Sequence, residues 1–154
     1  MVKTEVVNQQ KRIEIPEEEV KELVRMISEE EGYGEGEFVI TFLDSNSITR
    51  LNREYLNRDG DTNVITFSYV KDFNPEIDPV IAEIFINTDR VLSEAREAGM
   101  EPIERFWELL IHGILHGFDY EHEGVPEKVA KIMEEKEEYY REKWKKKVNG
   151  MKKG

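Results

Sequence analysis

The sequence predicts an α+β domain: a single mixed β-sheet with helices packed on it. Strand-like segments occur only in the first 86 residues, and every segment after residue 87 has helical periodicity. The chain has 154 residues, 38% of them hydrophobic, which suffices for one domain with a buried core. We therefore expect residues 1–150 to form one domain, followed by a short basic tail at 151–154.

Four segments have the alternating or β-branched sequence of strands, namely residues 2–8, 37–43, 62–70 and 80–86. The last is apolar on both faces, which predicts a central position in the sheet. A helix opened by Pro16 runs to about residue 31, and Asp44 or Ser45 can cap a second one. Their apolar faces carry Val20, Leu23, Val24 and Ile27 in the first helix, and Ile48, Leu51 and Tyr55 in the second.

Three further helices follow. Thr88 or Asp89 caps the first, which ends at Gly99, and Pro102 lies near the start of the next, which runs to about residue 118. The last begins near Pro126 and continues into a basic stretch at 141–153 that contains seven Lys or Arg residues and one Glu. Such a stretch is usually a solvated, frayed chain end. Contact with RNA is the alternative.

The composition excludes several classes of site and location. The chain has no cysteine, so disulfides and thiolate metal sites are excluded. No apolar run has the length of a membrane span, and the first residues lack a signal-peptide pattern, so we expect a cytoplasmic protein with no membrane contact. A net charge of -12 argues against broad, non-specific nucleic-acid binding, although a local basic groove stays possible.

All three histidines of the chain lie within eleven residues. His112 and His116 are four apart on a predicted helix, so they share one face, where two imidazoles can bind one ion. The helix is expected to end near Gly117, which allows His122 to return as a third ligand. Three protein ligands leave a tetrahedral position open, as in catalytic zinc sites. We therefore predict one Zn²⁺ per chain, although nickel or copper would also suit three imidazoles.

The spacing H-x3-H-x5-H also occurs in metzincin proteases, where a Glu after the first His acts as the general base. Gly113 occupies that position here, and Asp119 replaces the turn Gly of the motif. A protease of this type would lack its base. Gly113 instead allows close approach of another backbone or of a substrate.

At this run the chain resembles the YbeY family of endoribonucleases and rRNA maturation factors, whose motif reads H-G-x-L-H-x-x-G-Y-D-H. Asp119 and Glu121 depart from the motif. A second family segment, L-N-x-x-Y-R-x-K-D-x-P-T-[DN]-V-L-S-F, is similar to residues 51–68. Further similarities are Ala82-Glu83-Ile84, where the family has Gly-Asp-Ile or Gly-Asp-Leu, and the pair Met133 and Glu137 of the last helix. The first motif is matched by His112, Gly113, Leu115, His116, Tyr120 and His122.

The resemblance implies an α+β fold with a metal held by His112, His116 and His122. It also implies cleavage of single-stranded RNA, maturation of the 3′ end of the small-subunit ribosomal RNA, ribosome quality control and a cytoplasmic location. Ribosomal RNA would be the partner, with the ribosome or its proteins as further partners.

One departure concerns activity. The Arg that the family associates with activity aligns with Leu56, and Arg58 aligns with a family Lys. Arg58 is thus the candidate catalytic cation from a shifted position, or a solvated loop residue. The acids beside the histidines are expected to orient a histidine or to lie on the surface, rather than to act as the general base. These acids are Asp119, Glu121 and Glu123.

Three functions are compatible with these residues. The first is metal-assisted phosphodiester hydrolysis, in which a cation such as Arg58 offsets the charge that develops on the phosphate. The second is a non-enzymatic rRNA-binding assembly factor with a structural metal, and the third is a metallohydrolase for another substrate. Several aromatic residues could stack on bases but have the spacing of core residues, namely Phe106, Trp107, Tyr139, Tyr140 and Trp144.

Overall fold

The computed structural model describes residues 1–153. The elements, in chain order, are β1 (Val2–Asn8), α1 (Glu17–Glu30), β2 (Gly36–Leu43), α2 (Ser45–Leu56), β3 (Val64–Ser68), a short 3-10 helix (Val70–Asp72), β4 (Val80–Asn87), α3 (Thr88–Ala98), α4 (Pro102–Gly117) and α5 (Glu127–Lys153). Within these residues, no helix combines the length and the apolar composition needed to cross a membrane.

The four strands form one mixed sheet in the order β1-β2-β4-β3. β1 pairs with β2 in parallel, β2 pairs with β4 in parallel, and β3 pairs with β4 in the antiparallel direction. β4 is internal, in agreement with its apolar sequence, and β3 is an edge strand. The sheet and its helices confirm the predicted α+β class.

Helices cover both faces of the sheet. α1, α4 and α5 enclose the main core on one face, where the largest fully buried side chains include Phe38, Phe42, Phe106, Tyr140 and Trp144. α2 covers the other face, where Ile48 packs with Leu43 of β2 and Ile65 of β3. Alternate residues of a strand face opposite sides of a sheet, so β3 is held between the two layers.

The predicted cap of α3 was wrong by one residue. The side chain of Asn87 accepts hydrogen bonds from the backbone N–H groups of Asp89 (3.0 Å) and Arg90 (3.4 Å), so Asn87 is the N-cap. The hydroxyl of Thr88 is engaged elsewhere, because it donates to the carbonyl of Leu43 at 3.2 Å. Asn is among the residues most favoured at the N-cap position. Asn87 is buried at the end of β4, which places its side chain beside the first N–H groups of α3.

α5 extends through the basic stretch rather than fraying there. Trp144 is buried against Trp107, with ring centroids 5.1 Å apart. Lys143 and Lys147 form ion pairs with Glu30 and Glu22 of α1. The helix therefore reaches Lys153 as one continuous element. Of the predicted tail at 151–154, residue 154 lies outside the described residues.

Two glycines allow α4 to lie directly against the sheet. A Cβ atom on Gly113 would come within 2.9 Å of Ile84 Cγ2, and one on Gly117 within 2.8 Å of Phe38 Cε2. On the same side, Thr66 and Ser68 of β3 donate their hydroxyl protons to the carbonyls of Gly113 (3.2 Å) and Gly117 (2.7 Å). The Cβ direction of Gly113 is thus filled by side chains of the sheet and not by a substrate.

We predict opposite effects for the same substitution at two helical glycines. Gly113→Ala should lower the free energy of unfolding by about 1–3 kcal/mol, because the added methyl overpacks a closed interface. Gly150→Ala should leave stability unchanged or raise it by about 1 kcal/mol, because no atom of the described residues lies within 4 Å of that Cβ position in α5. Urea unfolding of metal-free protein measures both. Equal midpoints for the two variants would contradict the close packing of α4.

Candidate metal centre

α4 presents two histidines beside the face that packs on the sheet. His112 and His116 are one turn apart, with ring centroids 4.5 Å apart, and their Nε2 atoms lie 3.1 Å from each other. This approach follows from the i, i+4 spacing of the helix. Gly113 occupies the sheet-facing position next to His112, so helix packing fixes the direction in which both rings point.

The chain turns back immediately after α4. The N–H of Asp119 donates to the carbonyl of His116 (2.9 Å), and that of Tyr120 donates to the carbonyl of Leu115 (3.1 Å). This pair of hydrogen bonds is the Schellman motif, which requires a left-handed residue. Asp119 supplies it with φ 70°, at the position where the family motif has Gly. Aspartate tolerates this conformation better than most side chains do.

His122 completes the cluster from the loop that follows the turn. Its ring centroid lies 4.9 Å from those of His112 and His116. One ring nitrogen from each of the three histidines lies within 4.8 Å of the others. The Nδ1 atom of His122 is buried and has no hydrogen-bond partner within residues 1–153. A metal ion bound among the three rings could supply the missing partner of a buried nitrogen of this kind.

The outer nitrogens of the first two histidines are held by the protein. His112 Nδ1 lies 3.2 Å from Glu137 Oε2 of α5, and His116 Nδ1 lies 2.8 Å from the carbonyl oxygen of Tyr120. A histidine that donates its Nδ1 proton keeps a lone pair on Nε2. Contacts of this kind orient the ring and select the tautomer needed for metal binding.

The electrostatics of the cluster favour a neutral imidazole at His116. Burial, together with the charges that His112 and His122 would carry, lowers the pKa of His116 from 6.5 to about 4. For Glu137, burial raises the pKa, and the hydrogen bond to His112 and the nearby charges of His112 and Arg141 more than offset this effect, so the net shift is downward. At neutral pH the site therefore contains an unprotonated His116 beside an ionised carboxylate.

The donor set fits a tetrahedral transition-metal ion. Two nitrogens bonded to one such ion at about 2.0–2.1 Å lie about 3.3 Å apart, close to the observed separation of the two Nε2 atoms. The three histidines could thus hold a metal ion with one position left for another ligand. Within residues 1–153, no second group of histidine and carboxylate side chains converges in this way.

Arg58 belongs to the loop after α2 and is not part of the histidine cluster. It is exposed in the loop after α2, and its backbone N–H donates to the carbonyl of Asn52 at 3.2 Å. The loop is fixed by Arg90, whose Nε and Nη2 atoms each donate to the carboxylate of Asp61 at 2.8 Å. Within the described residues, no hydrogen bond or ion pair joins the guanidinium of Arg58 to the histidines.

The acidic residues near the cluster have different contacts. Asp119 forms an ion pair away from the histidines, with its Oδ2 atom 3.5 Å from Lys71 Nζ. Glu121 and Glu123 lie nearer the cluster. A carboxylate oxygen of Glu121 is 3.9 Å from His116 Nδ1, and one of Glu123 is 3.5 Å from His122 Nε2. The separations of Glu121 and Glu123 from the histidines are longer than the contacts that hold the outer nitrogens of His112 and His116. The carboxylate within hydrogen-bond reach is that of Glu137, 25 residues away from His112 along the chain. Only the family motif drew attention to Glu137 in the sequence.

Comparison with known proteins identifies the family to which the chain belongs. The model of the family described as Endoribonuclease YbeY matches residues 5–145. The chain belongs to the YbeY family.

Individual relatives agree with this assignment. The chain is similar to Endoribonuclease YbeY of Geobacter sulfurreducens, with 35% identity over 140 residues, covering 88% of this chain and 91% of the relative. The protein of the same name from Petrotoga mobilis is 33% identical, covering 90% and 94%. A solution structure from Thermotoga maritima has the same fold, with a TM-score of 0.65, 24% identity and coverage of 97% and 93%.

Two departures from the YbeY motifs can now be described structurally. Asp119 keeps the left-handed turn of the family Gly. Leu56, at the position of the family Arg, lies at the last residue of α2 with 37% of its surface exposed. The first departure leaves the turn intact, and the second removes a cation from the surface.

We predict that Glu137 contributes to metal affinity. Glu137→Ala should weaken zinc binding about 10–100-fold, because His112 loses the partner of its Nδ1 atom. Glu138→Ala, an exposed neighbour on the same helix, is the matched control and should bind zinc as the wild type does. Competition with a chromophoric chelator measures both affinities. Wild-type affinity in Glu137→Ala would show that this carboxylate does not support the site.

Proposed function

We propose that the protein is a metal-dependent endoribonuclease that cleaves single-stranded RNA. The observation that carries the proposal is the cluster of three histidines with a position left open, in a chain that belongs to the YbeY family. The relatives from Geobacter and Petrotoga are named endoribonucleases. We propose His112, His116 and His122 as the ligands and Zn²⁺ as the ion.

The residues of the chain have distinct parts in this proposal. When bound, zinc supplies Lewis-acid chemistry toward a phosphate ester. Glu137 and the carbonyl of Tyr120 hold the two helical histidines in the metal-binding tautomer. The carboxylates of Glu121 and Glu123 border the cluster and would repel a phosphate that approaches from their side. A basic side chain on the substrate path would help the bound ion to offset the charge of the phosphate.

Two arginines can supply that cation. We propose Arg58 as the catalytic one, because it lies two residues from the family position and its side chain is exposed. Arg141 is the competing residue. It is exposed on α5 one turn beyond Glu137, and its charge contributes to the lowered pKa of that carboxylate.

We further propose ribosomal RNA as the substrate, with maturation of the 3′ end of the small-subunit RNA and ribosome quality control as the processes served. The ribosome or its proteins would be partners, and the cytoplasm the location. Family membership supports this proposal. The net charge of -12 argues against broad, non-specific RNA binding, so the RNA would have to be bound at a specific local site.

A second function is favoured by one observation. Leu56 replaces the family Arg, which suits an rRNA-binding assembly factor whose metal stabilises the turn after α4 and does no chemistry. In that case removal of the metal would lower the melting temperature and RNA binding together, and no preparation would cleave RNA.

The first test compares the wild type with His116→Ala on a labelled single-stranded RNA. Zinc-loaded wild type should cut, and the variant, purified identically, should lose at least about 100-fold in rate, because the ion loses a ligand. Equal cutting by both would reveal a contaminating nuclease. Absence of cutting by both would favour the assembly factor. A 2′,3′-cyclic phosphate product would identify the 2′-hydroxyl of the RNA as the nucleophile.

We predict that Arg58→Gln lowers kcat/KM for RNA by about tenfold or more while zinc affinity is unchanged, because the variant removes a cation but no ligand. Arg141→Gln should have a smaller effect, and Arg96→Gln, an exposed arginine on α3, should have none. A loss confined to Arg141→Gln would transfer the role to α5. Equal rates in all three variants would refute a catalytic arginine among them.

A further inference from the structure

Glu31 occupies a position that local preferences oppose. It is the C-cap of α1 and follows Glu29 and Glu30, and the last turn of this helix has no basic residue. A helix C-terminus carries partial negative charge, so a carboxylate is unfavourable there. The side chain of Glu31 is also only 8% exposed. Tertiary contacts must therefore offset both the unfavourable helix dipole and the burial of the carboxylate.

Three donors surround this carboxylate, and all come from outside α1. The hydroxyl of Tyr120 donates to Oε1, the hydroxyl of Tyr140 donates to Oε2, and Lys136 Nζ lies 3.1 Å from Oε2. Burial raises the pKa of Glu31, and these donors more than offset it, so the net shift is downward. A carboxylate that accepts several charge-assisted hydrogen bonds holds its partners firmly.

Tyr120 connects this carboxylate to the histidines. Its carbonyl oxygen lies 2.8 Å from His116 Nδ1, and its hydroxyl contacts Glu31, 89 residues away along the chain. The residue lies between His116 and His122 in the loop that completes the cluster. The contact between the Tyr120 hydroxyl and Glu31 thus helps to fix the Tyr120 carbonyl beside His116.

We propose that Glu31 is a positioning residue of the metal site. By holding Tyr120, it keeps the carbonyl of that residue on His116 Nδ1, so that the Nδ1–H tautomer is selected and Nε2 is free for the ion. The inference rests on the proposed function in so far as that function uses this site. It concerns the metal-free protein as well, because the tautomer is set before an ion binds.

The neighbouring Glu30 provides a matched control. It accepts hydrogen bonds from the hydroxyl of Tyr139 (2.8 Å) and from Lys143 Nζ (2.6 Å), so it also joins α1 to α5 through a tyrosine and a lysine. Among the described residues, it has no hydrogen bond or ion pair with the loop that carries Tyr120 and His122. Glu30→Gln therefore removes the same kind of contact without reaching the histidines.

The experiment records long-range ¹H–¹⁵N spectra of the imidazoles in metal-free, full-length protein, in which only three histidines contribute. In the wild type and in Glu30→Gln, His116 should show the Nδ1–H tautomer. In Glu31→Gln, the His116 signals should shift toward a mixture of tautomers, and zinc affinity should fall about tenfold. Tyr120→Phe, which keeps the ring, should reproduce both changes and serves if Glu31→Gln fails to fold.

Two results would overturn the proposal. One is an Nδ1–H tautomer and unchanged zinc affinity in both Glu31→Gln and Tyr120→Phe. The other is an equal loss in Glu30→Gln, which would indicate a general effect of loosening α1 from α5. Failure of the nuclease proposal is recognised separately, because a wild type that does not cut RNA can still show the tautomer change in Glu31→Gln.

Discussion

The close contact between α4 and the sheet is the constraint on which the rest of the structure depends. Gly113 and Gly117 have no side chain where Ile84 and Phe38 approach, so the helix lies directly against β3 and β4. The hydroxyls of Thr66 and Ser68 then bind two carbonyls of the helix. With one side of α4 fixed in this way, the histidines at i and i+4 cannot turn toward the core, and both rings face the loop that returns after the helix.

The site is completed by elements that are distant in sequence. The loop from 118 to 122 turns at Asp119 and brings His122 against the two helical histidines. α5 then supplies Glu137 to one ring, and α1 supplies Glu31 to the tyrosine beside another. Because these contacts come from separate helices, packing of the whole helical layer determines the geometry of one small cluster. A metal bound there would in turn stabilise the layer.

The basic residues of α5 lie on two sides of the helix. Lys136, Lys143 and Lys147 face α1 and pair with Glu31, Glu30 and Glu22. Arg141 lies on the other side of the helix, one turn beyond the carboxylate that contacts His112. Two lysines of the basic end, Lys143 and Lys147, therefore help to attach α5 to α1. These ion pairs and the burial of Trp144 explain why this stretch is a packed helix, although its basic sequence is typical of a frayed chain end.

The sequence by itself determined the α+β class, the strands and helices to within a few residues, and the histidine cluster, because these depend on local periodicity and spacing. The tertiary structure alone decided that Asn87 caps α3, that Gly113 faces the sheet, and that Glu137 contacts His112 and Glu31 contacts Tyr120. Contacts between residues 25 and 89 positions apart leave no local pattern in the chain. Each of these contacts depends on how whole elements pack. From the sequence alone, an acidic residue at a helix end is interpreted as a surface residue, because its hydrogen-bond donors come from distant segments.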